Sequence, residues 1–283
     1  MTDANGIFED QDINAVFICS PTDTHIDMIK RAAQAKKHIF CEKPISFSDE
    51  ETMEAYKVVK ENGVTVQIGF NRRFDKQFAA VAKQVQNGAI GDLHILKITS
   101  RDPAPPPVEY IERSGGMFMD MTIHDFDMAR FLSGSEVEEV HAYGTSIVNP
   151  AIGQAGDVDT GIITLKFANG ALGVIDNSRE AKYGYDQRAE VFGSFGMAES
   201  KNVTESTVIT STASGVVSDK PLHFFLERYE EAYKVEVEAF FEAIKEGKES
   251  PCPFEAGIMA QRIAMAAKES VEKGMAVKVK QLG

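Results

Sequence analysis

Residues 15–41, AVFICSPTDTHIDMIKRAAQAKKHIFC, join two short apolar runs through a longer amphipathic segment. The runs AVFICS and HIF show no polar alternation, which is typical of strands in a parallel sheet that is covered on both faces. Residues 24–36 between them have the apolar spacing of a helix. The stretch therefore predicts a β-α-β unit with a right-handed crossover.

The same rhythm continues to about residue 90. A second helical pattern covers 48–62 and ends at Gly63, a residue type that favours the left-handed backbone conformation after a helix. VTVQIGF at 64–70 predicts a third strand, and another helix is expected from about residue 74. These elements predict part of a doubly wound, Rossmann-like parallel sheet.

The segments after Gly91 follow a different order. Consecutive strand patterns without intervening helices predict a large, mainly antiparallel sheet, with Asn169-Gly170 as a two-residue hairpin loop. The predicted strands lie at 137–147, 158–168, 171–179, 188–194 and 205–211, and the predicted helices lie near 115–132, 222–246 and 254–274.

Two domains follow from this change of rhythm, and the fold class is α/β plus α+β. We expect residues 1–112 to form a partial dinucleotide-binding domain. We expect residues 113–283 to form an α+β domain for substrate binding and oligomerisation, with the C-terminal helix packing back on the first domain. A chain of 283 residues is long enough for two cores.

Charge and composition restrict the class of partner. The formal net charge of −13 and the pI near 5.0 argue against nucleic acid and against an anionic membrane, because both would be repelled. A small-molecule ligand is therefore expected. The three scattered cysteines form no disulfide framework or zinc spacing, which favours a reducing cytoplasm. The acidic start and the lack of a long apolar run predict a soluble protein that is not exported.

Lys43 is the first candidate for chemistry, in the run CEKP at 41–44 that follows a predicted strand. In an open parallel sheet the carboxyl ends of the strands form the ligand edge. A lysine ammonium at this edge could bind a substrate hydroxyl and stabilise the alkoxide that develops as hydride leaves. The alternative is a solvated loop lysine paired with Glu42.

Asp120 and His124 are the second candidates, in GGMFMDMTIHDFD at 115–127. A spacing of four places both side chains on one face of a helix, where they could form a carboxylate-imidazole pair. Such a pair suits the removal of a hydroxyl proton near neutral pH. An ordinary pair on the helix surface and a metal site of His124 with Asp120 or Asp127 are the alternatives.

Two further runs end predicted strands on the same edge. SPTDTH at 20–25 opens a helix whose free N–H groups could hold an anion or ribose hydroxyls, although helix capping alone would also explain it. His25 there is expected to be structural rather than catalytic. GFNRRF at 69–74 carries Arg72, which could bind vicinal hydroxyls or a cofactor phosphate, or could lie on the surface.

Taken in this order, these runs resemble the Gfo/Idh/MocA oxidoreductases. The marks of that family are Ser/Thr-Pro-x-x-x-His, Glu-Lys-Pro, Gly-Phe-x-Arg-Arg, and Gly-Gly near Asp-x-x-x-His, and all four occur here. SRDPAPPP at 100–107, followed by GGMFMDMTIHDFDMARF, is similar to the members that oxidise inositol. The resemblance extends from about residue 8 to the end of the chain.

The resemblance implies a reaction and a set of site residues. Hydride would pass from a ring carbon of myo-inositol to NAD, giving the ketone scyllo-inosose, and the protein would form a homo-oligomer, commonly a tetramer. His124 would be the base, Asp120 would tune it, and Lys43 would bridge the nicotinamide ribose and the substrate. The implied cofactor contacts are Ser20, Pro21, Thr22, His25, Glu42 and Lys43, and the implied polyol contacts are Asn71, Arg72, Asp102 and one of Tyr183 or Tyr185.

One departure from the family pattern concerns the cofactor. Family members begin with a strand, a Gly-x-Gly-x-x-Gly turn and a helix, and no Gly-x-Gly-x-x-Gly occurs in this chain. We expect that this first βαβ unit is missing, through a shortened or mis-assigned start. A catalytically silent polyol-binding or oligomer-forming paralogue is the alternative from another class. A dehydrogenase of another sugar or inositol isomer, and NADP in place of NAD, also stay open.

Overall fold

Three short parallel strands form the sheet of the N-terminal unit in the computed structural model, which describes residues 4–282. The order is β1 (Ala15–Ile18), β2 (His38–Cys41) and β3 (Val66–Ile68). Their apolar side chains pack in one core with the first helices, as the uninterrupted apolar runs predicted. The helices of this unit are α1 (Asn5–Glu9), α2 (His25–Gln34) and α3 (Asp49–Asn62), whereas α4 (Lys76–Gln86) packs in the core of the large sheet through Phe78, Val81 and Ala82. The predicted Rossmann-like sheet is confirmed.

A seven-stranded sheet forms the second unit, in the order β12-β5-β6-β7-β4-β8-β9. Its strands are β4 (Leu93–Arg101), β5 (Val137–Thr145), β6 (Thr160–Phe167), β7 (Leu172–Ser178), β8 (Asp186–Gly193), β9 (Gly196–Ser200) and β12 (Val277–Lys278). Neighbours are antiparallel except for β4 and β7, which run parallel. A hairpin loop forms at the predicted place, but it has three residues, 168–170, rather than the predicted two, with Gly170 at φ 88°. The mainly antiparallel character of the sheet is confirmed.

Strand β4 lies in this second sheet, although the sequence analysis assigned residues 1–112 to the first domain and predicted no strand there. It pairs with β7 on one side and β8 on the other over almost its whole length. The boundary between the two sheets therefore falls before residue 93 rather than at 112. The predicted strand at 205–211 also differs, because β10 (Ile209–Thr212) and β11 (Gly215–Ser218) form a separate exposed hairpin.

Helices α7 (Thr122–Ser133) and α11 (Phe254–Lys273) pack on one face of the large sheet and contribute most to its core. The other helices after β4 are α5 (Val108–Ser114), α6 (Met117–Asp120), α8 (Pro150–Gln154), α9 (Phe225–Arg228) and α10 (Glu230–Glu246). The rings of Phe240 and Phe241 on α10 pack on Phe17 of the first sheet. Helix α11 spans both cores: its first turns, with Phe254 and Ile258, pack in the N-terminal unit, and Ile263 packs under the large sheet. No helix within residues 4–282 has the length and apolar character needed to cross a bilayer.

Candidate active site

Lys43 and Asp120 meet where the two units join. Lys43 follows β2, and its Nζ donates to the backbone oxygen of Asp120 at 2.6 Å and lies 3.4 Å from Oδ1 of the same residue. Both side chains are largely shielded, with 16% and 13% of their surface exposed. The ammonium is therefore held at the carboxyl edge of the first sheet. Lys43 is thus not a solvated loop residue paired with Glu42, which was the alternative.

The carboxylate of Asp120 has two further partners that the sequence analysis did not name. Arg179 donates from both Nη atoms to Oδ2 at 3.1 Å, and the Tyr110 hydroxyl donates to Oδ1 at 2.8 Å. Burial alone would raise the pKa of Asp120, but Lys43, Arg179 and the Tyr110 hydrogen bond outweigh it and hold that pKa below its usual value. Asp120 is thus ionised at neutral pH.

His124 does not form the predicted pair with Asp120. Helix α6 ends at Asp120 and α7 starts at Thr122, and the Asp120 carboxylate is bound by Arg179, Tyr110 and Lys43 instead. The Nδ1 atom of His124 is buried without a hydrogen-bond partner among residues 4–282, and the ring meets Phe70 edge to face at 5.9 Å.

The imidazole of His124 is neutral. Burial, followed by the charges of Lys43 and Arg72, lowers its pKa well below the usual 6.5. A neutral imidazole can accept a proton, which is the state that a general base requires. The surroundings of His124 therefore favour the base in its unprotonated form.

Three of the predicted polyol contacts lie beside these groups with polar atoms to spare. Asn71 is buried, and its amide makes no hydrogen bond to another residue of 4–282. Asp102 lies 3.5 Å from Arg179, and burial outweighs that cation and raises the pKa of Asp102 to about 6. Tyr185 packs edge to face on Tyr229, and burial holds the pKa of its hydroxyl well above 10.

The other two predicted polyol contacts are engaged elsewhere. Arg72 is buried in an ion pair with Asp125, at 2.6 Å. Its guanidinium is therefore engaged by a carboxylate and is not free to bind two substrate hydroxyls. Tyr183 donates to Asp186 and accepts from Arg101 on the outer side of the sheet. Of the two candidate tyrosines, the structure thus brings only Tyr185 to the site.

A buried polar network fixes the start of α7 on the sheet. Thr122 donates to Asn177 at 2.6 Å, and Asn177 donates to Asp125 at 2.9 Å. Arg73 makes two hydrogen bonds to Asp127, at 2.8 and 2.6 Å. The alternative of a metal site gains no support, since Asp120 and Asp127 are bound by arginines and the residues 4–282 hold no cluster of three potential ligands.

The predicted cofactor contacts line the ends of β1 and β2. Ser20, Pro21 and Thr22 follow β1 at the surface, and a cavity of about 310 Å³ lies between this turn and the loop after β2. Glu42 is mostly buried, and burial raises the pKa of its carboxyl. His25 is buried with both ring nitrogens at 2.9 Å from carbonyl oxygens, those of Ser20 and Pro44. His25 ties the two loops together and has no ring nitrogen left for a cofactor.

Tyr110 and Arg179 are the residues that sequence reasoning missed. Arg179 follows β7 and Asp102 follows β4, and the parallel pairing of these strands brings both to one edge. A sheet interpreted as wholly antiparallel gives no reason to group them. Tyr110 lies on α5, after the proline run at 105–107, in a segment without an apolar repeat that would place it.

Comparison with known families matches both units. The profile described as oxidoreductase family, NAD-binding Rossmann fold, matches residues 1–70, and the Gfo/Idh/MocA C-terminal domain matches residues 78–199. A myo-inositol 2-dehydrogenase of Thermotoga maritima is 49% identical over 280 residues, which are 99% of this chain and 84% of that protein.

Solved structures give the same fold. The structure of a probable dehydrogenase from Thermotoga maritima superposes with a TM-score of 0.96 at 49% identity, covering 98% of this chain and 83% of that one. A scyllo-inositol dehydrogenase from Lactobacillus casei, solved with bound NAD(H) and scyllo-inositol, has a TM-score of 0.89 at 31% identity, with 98% and 83% covered.

Proposed function

The chain belongs to the Gfo/Idh/MocA family of oxidoreductases, and we propose that it oxidises myo-inositol to the ketone scyllo-inosose with NAD. The observation that carries the proposal is the convergence of Lys43, Asp120 and a neutral His124 beside unpaired polar groups. The identity of 49% to a protein named for this activity supports the substrate. In the reaction the hydrogen of the ring C–H bond leaves with the electron pair, as hydride, to NAD. The hydroxyl proton passes to a base.

Lys43 has the role of an alkoxide stabiliser in this proposal. Its ammonium is fixed by Asp120 through two contacts, so it is oriented before the substrate arrives. A preorganised cation in a shielded site stabilises developing negative charge more than a mobile surface lysine does. The Nζ retains donor capacity for the substrate oxygen, because an ammonium has three donors.

His124 accepts the hydroxyl proton. Its imidazole is kept neutral by burial and by two nearby cations, Lys43 and Arg72. Asp120 is held by Arg179 and Tyr110, so it acts on the reaction through Lys43 rather than by orienting the imidazole. This division of roles differs from the carboxylate-imidazole pair that the spacing predicted.

The residues fit one half of the cofactor. Ser20, Pro21 and Thr22 offer a turn with exposed backbone at the carboxyl end of β1, and Lys43 lies at the end of the neighbouring strand. NAD, when bound, supplies the acceptor for the hydride. The pyrophosphate would be held by a Gly-x-Gly-x-x-Gly turn, which does not occur among the 283 residues. Activity is therefore to be measured both on this chain and on an extended chain, defined as this chain preceded by a βαβ unit that carries the turn.

A neutral cyclic polyol is the substrate class that the pocket favours. Asn71, Asp102 and Tyr185 offer donors and acceptors for several ring hydroxyls. Asp102 and Asp120 would repel a sugar acid or phosphate, and the nearby arginines are already paired with carboxylates. Among neutral polyols, sugars and their phosphates, we expect the highest kcat/KM for myo-inositol. A preference for a phosphorylated or acidic substrate would overturn the proposal.

scyllo-Inositol is the second candidate substrate. It differs from myo-inositol in the orientation of one hydroxyl, and the Lactobacillus casei structure with that ligand is similar to this chain along nearly its whole length. The ratio of the two kcat/KM values distinguishes the candidates, and a ratio above one for myo-inositol supports the first. The same assay with NADP measures the preference for the cofactor.

Self-association and cellular location complete the proposal. The uncovered face and edge of the large sheet expose several apolar side chains, which favours burial against a second copy. They are Ile95, Tyr143, Ile162, Leu172, Phe192 and Met197. We infer a homo-oligomer, a tetramer, to be measured by sedimentation. The three cysteines are unpaired, in keeping with a reducing cytoplasm. The proposed reaction implies a role in inositol catabolism.

A further inference from the structure

Arg179 lies between two carboxylates of the site. It follows β7, and its guanidinium is 3.1 Å from Asp120 and 3.5 Å from Asp102, which follows the parallel neighbour β4. Only 3% of the Arg179 side chain is exposed. The backbone is fixed on both sides, since the Arg179 N–H donates to Asp159 and the Asp102 N–H donates to Ser178. The guanidinium is therefore a rigid bridge and not a mobile surface charge.

Both carboxylate oxygens of Asp120 are occupied. Arg179 holds Oδ2 with both Nη atoms, and Tyr110 and Lys43 approach Oδ1. The Nδ1 atom of His124, four residues along, stays buried and unpaired. The direction of the Asp120 carboxylate is thus set by Arg179, Tyr110 and Lys43.

We propose that Arg179 is a positioning residue of the reaction, which holds the Asp120 carboxylate in place beside Lys43. The proposal rests on the proposed function for its link to turnover. Arg179 itself needs no contact with substrate or cofactor in this role. It acts through Asp120, and through Asp102, whose charge it compensates beside the polyol pocket.

Loss of the guanidinium has two expected consequences. The Oδ2 atom of Asp120 loses both of its donors, so the carboxylate is no longer held in place beside Lys43; a displacement of about 1 Å at a catalytic group can reduce turnover about 100-fold. Asp102 also loses its nearest cation. Burial already raises the pKa of Asp102 to about 6 with Arg179 present, so its removal raises that pKa further.

The variants separate charge from geometry. Arg179→Met removes the cation and keeps the apolar length, whereas Arg179→Lys keeps the charge but cannot bridge two carboxylates with a planar fork. Arg130→Met is the matched control, because Arg130 pairs with Glu136 on the same unit away from these carboxylates. Thermal unfolding of each variant reports whether the fold is retained.

The test is kinetic and spectroscopic. In the extended chain with myo-inositol and NAD, we expect Arg179→Met to lower kcat about 100-fold with a much smaller change in KM, and Arg179→Lys to recover part of the loss. In an Asp120→Asn background the same substitution should cost far less, because the residue acts through Asp120. An equal loss in both backgrounds, or an unchanged kcat, would overturn the proposal.

The role of Arg179 can also be tested without measuring turnover, so that it is checked separately from the proposed function. Carbon NMR titration of the aspartate carboxyls, on the chain without ligands, should show the titration of Asp102 moving upward from about pH 6 in Arg179→Met and not in Arg130→Met. No movement of Asp102 would contradict the bridge. Inactivity of the unmodified extended chain on every polyol would instead contradict the proposed function.

Discussion

The ammonium of Lys43 donates to the backbone oxygen of Asp120 at 2.6 Å, across 77 residues of sequence. This contact joins the end of a strand in the first sheet to the end of a helix over the second sheet. The position of Lys43, the proposed alkoxide stabiliser, therefore depends on the packing of the two units.

Replacement of Lys43 tests the alkoxide-stabilising role. Lys43→Met in the extended chain should lower kcat by about 10²–10³-fold, because it removes a charge that acts mainly in the transition state. NAD affinity, measured by calorimetry, should change little. Lys57→Met is the control, since that lysine is exposed on α3. A Lys43→Met enzyme with near-normal turnover would remove Lys43 from the mechanism.

The pH dependence of kcat/KM tests the base. Because burial and two cations lower the pKa of His124, activity should fall only as the pH drops well below 6.5, where the imidazole becomes protonated. His124→Asn should lower activity and abolish this acidic limb. Asp102→Asn is the control, because Asp102 titrates at about 6. If the limb persists in His124→Asn and disappears in Asp102→Asn, then Asp102 is the essential group.

Cofactor affinity should depend on the phosphate-binding turn. We expect the 283-residue chain to bind NAD much more weakly than the extended chain, because Ser20, Pro21, Thr22 and Lys43 cannot replace N–H groups aimed at two phosphates. Within residues 4–282 strand β1 pairs only with β2, which leaves an open edge that the added strand would cover. Calorimetric titration of both chains with NAD measures the two affinities. Equal affinities would contradict the expectation.

Glu236 should make the stability of the fold dependent on pH. Its carboxyl is buried on α10 with Oε1 unpaired, and burial, followed by Glu42 and Asp127, raises its pKa to about 9. The native state therefore holds this proton more tightly than the unfolded state. The resulting stability is complete below the unfolded pKa of 4.5 and is lost as the pH rises through about 9.

Glu236→Gln removes this dependence. The thermal midpoint of the unmodified chain should fall more between about pH 5 and pH 9 than that of the variant, because each pKa unit corresponds to about 1.4 kcal/mol. Glu238→Gln, at an exposed position of the same helix, is the control. Parallel curves for the chain and for Glu236→Gln would show that Glu236 is not protonated in the native state.

Local patterns determined the parts of the fold that the sequence predicted well. The apolar runs of β1 and β2, and Gly63 at φ 64° after α3, depend on neighbours in sequence, so they are visible without a structure. The pairing of β4 with β7 is different. It joins residues that are about 80 positions apart and is parallel within a mainly antiparallel sheet, and no local pattern records it.

The same limit applies to the site. Lys43, Asp120 and His124 are candidates from the sequence because each lies in a short motif, but their contacts depend on packing between units. The spacing of Asp120 and His124 predicted a pair, but Arg179 and Tyr110 bind the Asp120 carboxylate instead. Arg72 was expected in the pocket, yet a buried aspartate, Asp125, two positions before Asp127, holds it in the core. The spacing of two residues predicts which face of a helix they share, but it does not predict which residues their side chains contact.

Transfer of deuterium from the substrate to the cofactor shows whether the chain catalyses hydride transfer. myo-Inositol that carries deuterium at carbon 2 is incubated with NAD and the extended chain, and the reduced cofactor and the sugar product are analysed by mass spectrometry. We predict one deuterium in the nicotinamide ring for each molecule of scyllo-inosose formed. With Lys43→Met, the amount of transferred deuterium should fall in proportion to its lower turnover. Formation of the ketone without deuterium in the cofactor, or no ketone at all from a chain that binds NAD, would contradict the proposed hydride transfer from myo-inositol to NAD.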